Sequence, residues 1–246
     1  MKLRSMIGFC ALSIAAFGLQ SNNTCGLMNV PSTTATTMIA VPWVTVGGTE
    51  DAMKVANLVK TDTLTAGDEL YYYDGSTYYR WVLTGGEWTP SATAKSENGK
   101  SVTVQAPGAD YGIARGKGLF LVRQDTSKEI WLYGQYSTSS VSVEVLKGSG
   151  EAPAYTMIAN PNAAGYALNA NNVEGADGDT ISISGDAKVY SYKGGSWGYD
   201  QPTGEKKTVR GKEIDVMAWS STGDVTIPAG TGAWYISKGG KPTINW

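Results

Sequence analysis

The chain has 246 residues, 41% of them hydrophobic and 17% charged, and a formal net charge of −2. That length and apolar content allow one or two packed domains. The near-neutral balance gives no electrostatic case for nucleic acid or an anionic membrane as partner. Histidine is absent, which excludes Ser-His-Asp and Cys-His catalysis, histidine-ligated zinc and a histidine general base.

Lys2 and Arg4 precede an uncharged apolar run from Met6 to Leu19. A positive region before an apolar stretch too short for an ordinary membrane span reads as a signal peptide. Cleavage after Gly18, with Ala16 at the third position before the cut, meets the small-residue rule, and cleavage after Ser21 is the alternative. Residues 1–21 are therefore expected to be removed, leaving no membrane span and a secreted or cell-envelope protein. Cys10 would leave with them, so Cys25 has no intramolecular disulfide partner and is either a free thiol or an intermolecular link. Residues 22–36, rich in Ser, Thr and Asn, are predicted to be a flexible leader.

From Thr37 the pattern is strand, turn, strand. Thr37-Met38-Ile39-Ala40-Val41-Pro42 opens it. The stretch from Glu50 to Lys60 begins with acids, ends with a base and has weak helical spacing, which predicts a helical turn or two. Leu70-Tyr71-Tyr72-Tyr73 and the run from Tyr78 to Leu83 flank Asp74-Gly75-Ser76-Thr77, and aromatic and β-branched runs around Asp-Gly predict a β-hairpin. Gly85-Gly86 turns the chain into Glu87-Trp88. Val102 and Val104 alternate with polar residues, and Leu119–Val122 and Ile130–Tyr133 read as further strands. Val141, Val143 and Val145 alternate with polar residues before a Gly148-Ser149-Gly150 turn.

The chain then says nearly the same thing again. Thr156-Met157-Ile158-Ala159-Asn160-Pro161 matches the opening strand, Gly178-Asp179 matches Gly67-Asp68, and Trp197 matches Trp88. Gly211-Lys212 with Ile214 and Val216 matches Gly99-Lys100 with Val102 and Val104. Gly230-Thr231-Gly232 matches Gly116-Lys117-Gly118. This predicts an all-β protein of two tandem small antiparallel β-sandwich or barrel modules, residues 37–136 and 137–246, after the signal peptide. Trp88 and Trp197, kept amid diverged loops, are expected to be buried at equivalent places.

The runs Tyr155–Pro161, Asp177-Gly178-Asp179-Thr180-Ile181 and Pro228-Ala229-Gly230-Thr231-Gly232-Ala233-Trp234 resemble a surface module of secreted proteins from planctomycete and verrucomicrobial bacteria. That module pairs a Y-T-M-I-A-N-P strand with a D-G-x-x-V-Y-x-W-D-G hairpin and a P-G-x-G-x-F/W strand. The first half departs from it with Val41 in place of Asn and Ala114-Arg115 in place of Pro-Gly. The resemblance implies the all-β fold and a bacterial cell-surface or secreted location, and no chemistry.

Few acids keep their place in both halves. Asp68 and Asp179 do, but each follows a glycine at the start of a strand, where Asp bonds its own backbone. Asp177 and Asp179, with Glu174 and Asp186 nearby, lack the spacing of a known calcium loop, and turn chemistry is the preferred reading. Gly116-Lys117-Gly118 lacks the spacing of a P-loop and reads as a turn. No catalytic residue, metal or cofactor is expected. The aromatics are the functional lead. With the halves aligned at an offset of 111, Tyr71 and Tyr73 fall where the second half has Ser182 and Ser184, Tyr78 meets Val189, and Arg80 meets Ser191. Tyr71, Tyr73, Tyr78 and Arg80 would then form an exposed patch suited to a glycan, another surface protein or self-association. The competing reading is cross-strand aromatic pairing that only stabilises the hairpin. The expectation is a non-enzymatic structural or interaction protein, with a carbohydrate-binding module pair as the alternative.

Overall fold

The computed structural model describes residues 25–47, 52–92, 95–97, 100–108, 110–135, 137, 139–221, 223–240 and 242–246. The expected signal peptide, residues 1–21, lies outside them. Among the described residues no helix is long and apolar enough to cross a membrane.

The structure is nearly all β. The first half comprises β1 (Cys25–Val30), β2 (Thr36–Ala40), β3 (Ala52–Lys54), a single helical turn α1 (Val55–Leu58), β4 (Glu69–Tyr73), β5 (Tyr78–Thr84), β6 (Glu87–Pro90), β7 (Lys95–Glu97), β8 (Lys100–Val102), β9 (Val104–Gln105), β10 (Gly112–Ala114), β11 (Gly118–Val122) and β12 (Ile130–Gln135). The second comprises β13 (Ser142–Glu144), β14 (Ala154–Ala159), β15 (Tyr166–Ala167), β16 (Thr180–Ile183), β17 (Val189–Lys193), β18 (Ser196–Val209), β19 (Lys212–Ser220), β20 (Thr226–Ile227), β21 (Gly232–Ser237) and β22 (Thr243–Asn245).

Each half builds one main sheet and two short ribbons that cover it, and the first half has a further two-stranded pair, β7-β8. The first sheet runs β2-β11-β4-β5-β6, with β9 added parallel to β5, and the ribbons are β1-β12 and β3-β10. The second runs β14-β21-β16-β17-β18-β19, with ribbons β13-β22 and β15-β20. Up to β6 and β18 the order is the same strand for strand. Each core lies between its main sheet and its ribbons, where apolar side chains from both layers meet. In the first half Leu70, Trp81, Leu119 and Leu121 of the sheet pack with Val30, Met53, Ile113, Ile130 and Leu132 of the ribbons. In the second, Ile181, Tyr190, Ala233 and Tyr235 pack with Val143, Tyr166, Ile227 and Ile244. Trp88 and Trp197 are 5% and 0% exposed. Their indole N–H groups donate to the carbonyls of Val59 (3.3 Å) and Val173 (2.7 Å), so both sit where the sequence analysis expects.

One assignment changes. The polar composition of residues 22–36 predicts a leader, but Cys25–Val30 is strand β1, paired antiparallel with β12 from Cys25 opposite Gln135 to Val30 opposite Ile130. The strand needs few apolar residues because only Val30 is fully buried. What holds it is the backbone ladder to β12, which alternates buried and half-buried residues along its length.

The recurring Asp68 and Asp179 are buried anchors. Asp68 accepts backbone N–H bonds from Thr65 (3.0 Å) and Gln124 (2.7 Å). Asp179 accepts the equivalent pair from Ala176 (3.0 Å) and Lys238 (2.7 Å), plus the hydroxyl of Tyr235 (2.8 Å). Each carboxylate thus ties the loop before one strand to the end of β11 or β21, a longer reach than the local turn bond expected from sequence. Asp177 accepts from the Gly194 N–H (3.0 Å), and Asp186 from the Lys188 N–H (2.9 Å) and the Tyr190 hydroxyl (2.5 Å).

The halves meet along β2 and β14 by contacts that occur twice with the roles exchanged. Ile39 bridges Thr231, and Ile158 bridges Lys117. The Ala40 N–H donates to the Gly230 carbonyl (2.9 Å), and the Ala159 N–H to the Gly116 carbonyl (2.8 Å). This is the self-complementary pattern of a two-fold interface, built inside one chain. Gly116 and Gly230 adopt φ of 79° and 68°, as their turns require. They also lie close against the other half: a Cβ on Gly116 would sit 2.8 Å from Val141 and from Val143, and one on Gly230 would strike Met28.

Replacing Asp179 with Ala should cost about 3 kcal/mol, read from the urea midpoint, because it strands two backbone donors and a buried hydroxyl. Gly116→Ala should cost about 2 kcal/mol by the same measurement, combining left-handed backbone with overpacking at the junction.

Candidate functional site

The hairpin β4-β5 pairs Tyr71 with Arg80 and Tyr73 with Tyr78. Directly opposed residues share a face, and faces alternate along a strand. The four expected site residues therefore do lie on one face, opposite the core face of Leu70 and Trp81. The register, however, differs from the sequence alignment. Glu69 lies opposite Val82, whereas Thr180 lies opposite Ser191, so the first hairpin is two residues longer. By register Arg80 corresponds to Val189, not Ser191; a shift of two leaves the facing unchanged.

Arg80 is not an exposed ligand for a partner. It is 7% exposed and locked to Glu69, with Nη2 donating to Oε1 at 2.9 Å and Nε to Oε2 at 3.2 Å; Nη1 donates to the Ser91 hydroxyl at 2.9 Å. Hydrogen bonding to Glu69 raises the guanidinium's pKa further. The Tyr71 hydroxyl also donates to Glu69, and the Arg80 guanidinium carbon stands 6.0 Å from the Tyr71 ring centre. Tyr71 and Arg80 thus form a structural knot around Glu69. A buried carboxylate recruits every nearby donor because its charge must be compensated, and nothing in the local sequence distinguishes that from exposure.

Tyr73 and Tyr78 belong to a different arrangement. Their rings are 4.7 Å apart, and Tyr73 stands edge-on to Trp234 of β21 at 5.9 Å. Trp234 also touches Phe120 of β11 (5.6 Å) and Tyr155 of β14 (6.1 Å). Because the two sheets meet at β2 and β14, the faces turned away from their cores converge beside the junction. They enclose an open trough of about 530 Å³, walled by Tyr73 and Tyr78 from one half and by Tyr155, Ser182, Val189, Trp234 and Ile236 from the other. Among the described residues no charged side chain lines it. Tyr155 is 45% exposed. The Tyr73 hydroxyl is fixed on the Gly75 carbonyl at 2.7 Å, which sets the ring's position.

Phe120, Tyr155 and Trp234 were not among the sequence-predicted residues. Their signal was alternation: in β21 Ala233 and Tyr235 point inward, so Trp234 and Ile236 point outward, and in β11 Phe120 lies between the buried Leu119 and Leu121. On the opposite side of the hairpin Tyr72 and Tyr79 pack with Tyr111 at ring distances of 6.3 Å and 4.7 Å, against the core. Those contacts fit the cross-strand stabilising reading.

The other buried ionisable groups hold the frame. Arg115 donates to the carbonyls of Ser137 (3.2 Å) and Ser139 (2.6 Å) in the connector between the halves. Arg123 donates to the carbonyls of Lys128 (2.6 Å), Ser32 (3.0 Å) and Thr34 (2.8 Å). No family model matches this chain, and no curated protein or solved structure shows significant similarity to it.

Burial, reinforced by the nearby Asp74 and Tyr79, pushes the Tyr72 phenol from 10.0 up to about 12. Burial likewise raises Tyr71, Tyr111, Tyr190 and Tyr235. A phenol raised in the folded state contributes stability that is complete below its unfolded value and is lost as pH climbs through the folded one. Stability should therefore be level up to about pH 10 and fall steeply toward pH 12. Tyrosinate absorbance followed with near-ultraviolet circular dichroism checks this: ionisation of these five tyrosines should coincide with loss of tertiary signal.

Proposed function

We propose that this chain is a non-enzymatic secreted or cell-surface interaction protein, built from two copies of one β module, that binds its partner in the aromatic trough at the module junction. The observation that carries this reading is the trough itself: four aromatic rings drawn from both halves around an open, uncharged cleft. Soluble proteins seldom leave contiguous aromatic surface uncovered without a use for it. Beside it, Glu69, Arg80, Asp68, Asp179, Arg115 and Arg123 are each engaged in bonds that hold the fold. Duplication is supported by the recurring motifs together with the shared strand order and the exchanged junction contacts. Export rests on the apolar run after Lys2 and Arg4.

Within this reading the lining favours a neutral glycan. Aromatic faces stack on the C–H faces of sugar rings, and Ser182 with the tyrosines supplies hydroxyls around them. An uncharged wall offers nothing to an acidic or basic peptide. A screen of soluble neutral oligosaccharides, followed by titration calorimetry, tests it. Tyr155→Ala should weaken binding about tenfold, near 1.4 kcal/mol, while leaving the urea midpoint in place. If no oligosaccharide binds, the glycan reading fails; if binding survives Tyr155→Ala and Trp234→Ala unchanged, the site is elsewhere.

A further inference from the structure

The strand pair β18-β19 continues past the body of the second sheet. After Tyr199 opposite Ser220 the ladder bulges between Pro202 and Lys206, then resumes through Lys206/Asp215, Lys207/Ile214, Thr208/Glu213 and Val209/Lys212. Residues 202–215 are all exposed. The first half has only the three-residue strands β7 and β8 here, and its chain returns at once to the sheet as β9. A two-stranded ribbon with no core of its own gains little stability from its length.

Its charges are sorted by face. The register puts Lys207, Val209, Lys212 and Ile214 on one side and Lys206, Thr208, Glu213 and Asp215 on the other. On the second side Lys206 Nζ lies 3.6 Å from Glu213, and with Asp215 beside them that face is net acidic. Over the paired stretch from Lys206 to Asp215 the first side has two lysines and no acid, with Val209 and Ile214 44% and 43% exposed. Arg210 adds a third cation at the turn, held at φ 50° beside Gly211 at φ 77°. The chain as a whole carries net negative charge; this arm concentrates cations on one apolar face.

We infer that this face of the arm docks on a membrane surface bearing anionic headgroups. Lysines flanking exposed aliphatics suit the headgroup boundary, where the charges meet phosphate while the valine and isoleucine enter the edge of the acyl region. A soluble polyanion would match the lysines and leave Val209 and Ile214 without a role. The site is separate from the trough and does not depend on the ligand proposed there.

Co-sedimentation of the chain from residue 22, the form left after the expected cleavage, with vesicles tests this. It should bind vesicles containing phosphatidylglycerol, and not pure phosphatidylcholine, in a salt-sensitive way. Each basic residue near the surface is worth about fivefold in partitioning, so Lys207→Ala with Lys212→Ala should weaken binding roughly 25-fold. Lys206→Ala, on the acidic face, should change it less than about twofold. Val209→Ser with Ile214→Ser should also weaken it. Lack of binding to phosphatidylglycerol vesicles would overturn the inference. So would equal loss from Lys206→Ala and the double-lysine variant. Full competition by dextran sulfate, with no effect of the Val209/Ile214 variant, would instead assign the arm to a soluble polyanion and also overturn it.

Discussion

The close approach of two backbone segments governs this molecule. Ala40 donates to Gly230 and Ala159 donates to Gly116, and both bonds require a chain without Cβ atoms at the accepting turn. Any larger residue at Gly116 meets Val141 and Val143, and at Gly230 it meets Met28. The glycines also supply the positive φ that lets each turn enter its strand. One residue type thus satisfies a local and a long-range demand together, and the two demands fix the angle at which the sheets meet.

The trough follows from that angle. The trough draws on both halves: the first contributes Tyr73 and Tyr78, the second Tyr155 and Trp234. The junction at Ile39 and Ile158 brings Tyr73 and Phe120 of the first half within 5.9 Å and 5.6 Å of Trp234 of the second. The frame is held by polar anchors. Asp68 and Asp179 accept backbone donors from distant loops, and Glu69 gathers Arg80 and Tyr71. Such groups are tolerable in the interior because each charge has several hydrogen-bond partners. Their cost in desolvation is offset by the precision with which they position the loops around the hairpin.

Average composition conceals where charge sits. A net charge of −2 argues against an anionic surface as partner, yet the β18-β19 arm gathers Glu213 and Asp215 on one face and leaves Lys207 and Lys212 together on the other. That separation exists only once the strand register is known, since in the linear sequence Glu213 and Asp215 alternate with Lys212 and Ile214. The same register corrects the alignment of the tyrosine hairpin, in which Arg80 is opposed to Tyr71.

The sequence by itself determined the local rules: alternating apolar residues for strands, Asp-Gly and Gly-Gly for turns, a helical turn or two within the stretch from Glu50 to Lys60, of which the structure forms one at Val55–Leu58, and two tryptophans destined for the core. It also determined that Tyr71, Tyr73, Tyr78 and Arg80 share a face, because facing depends only on parity along a hairpin. It did not determine that Cys25–Val30 is a strand, since that ladder depends on β12, roughly a hundred positions away. Nor did it separate Arg80, which burial beside Glu69 removes from the surface, from Tyr73 and Tyr78, which remain at an open cleft. The tertiary structure alone decided which aromatics meet. Trp234, Phe120 and Tyr155 lie on different strands, and their convergence is set by how the two sheets dock. Sequence periodicity reports which side of a strand a residue occupies, whereas packing between sheets decides what lies on that side.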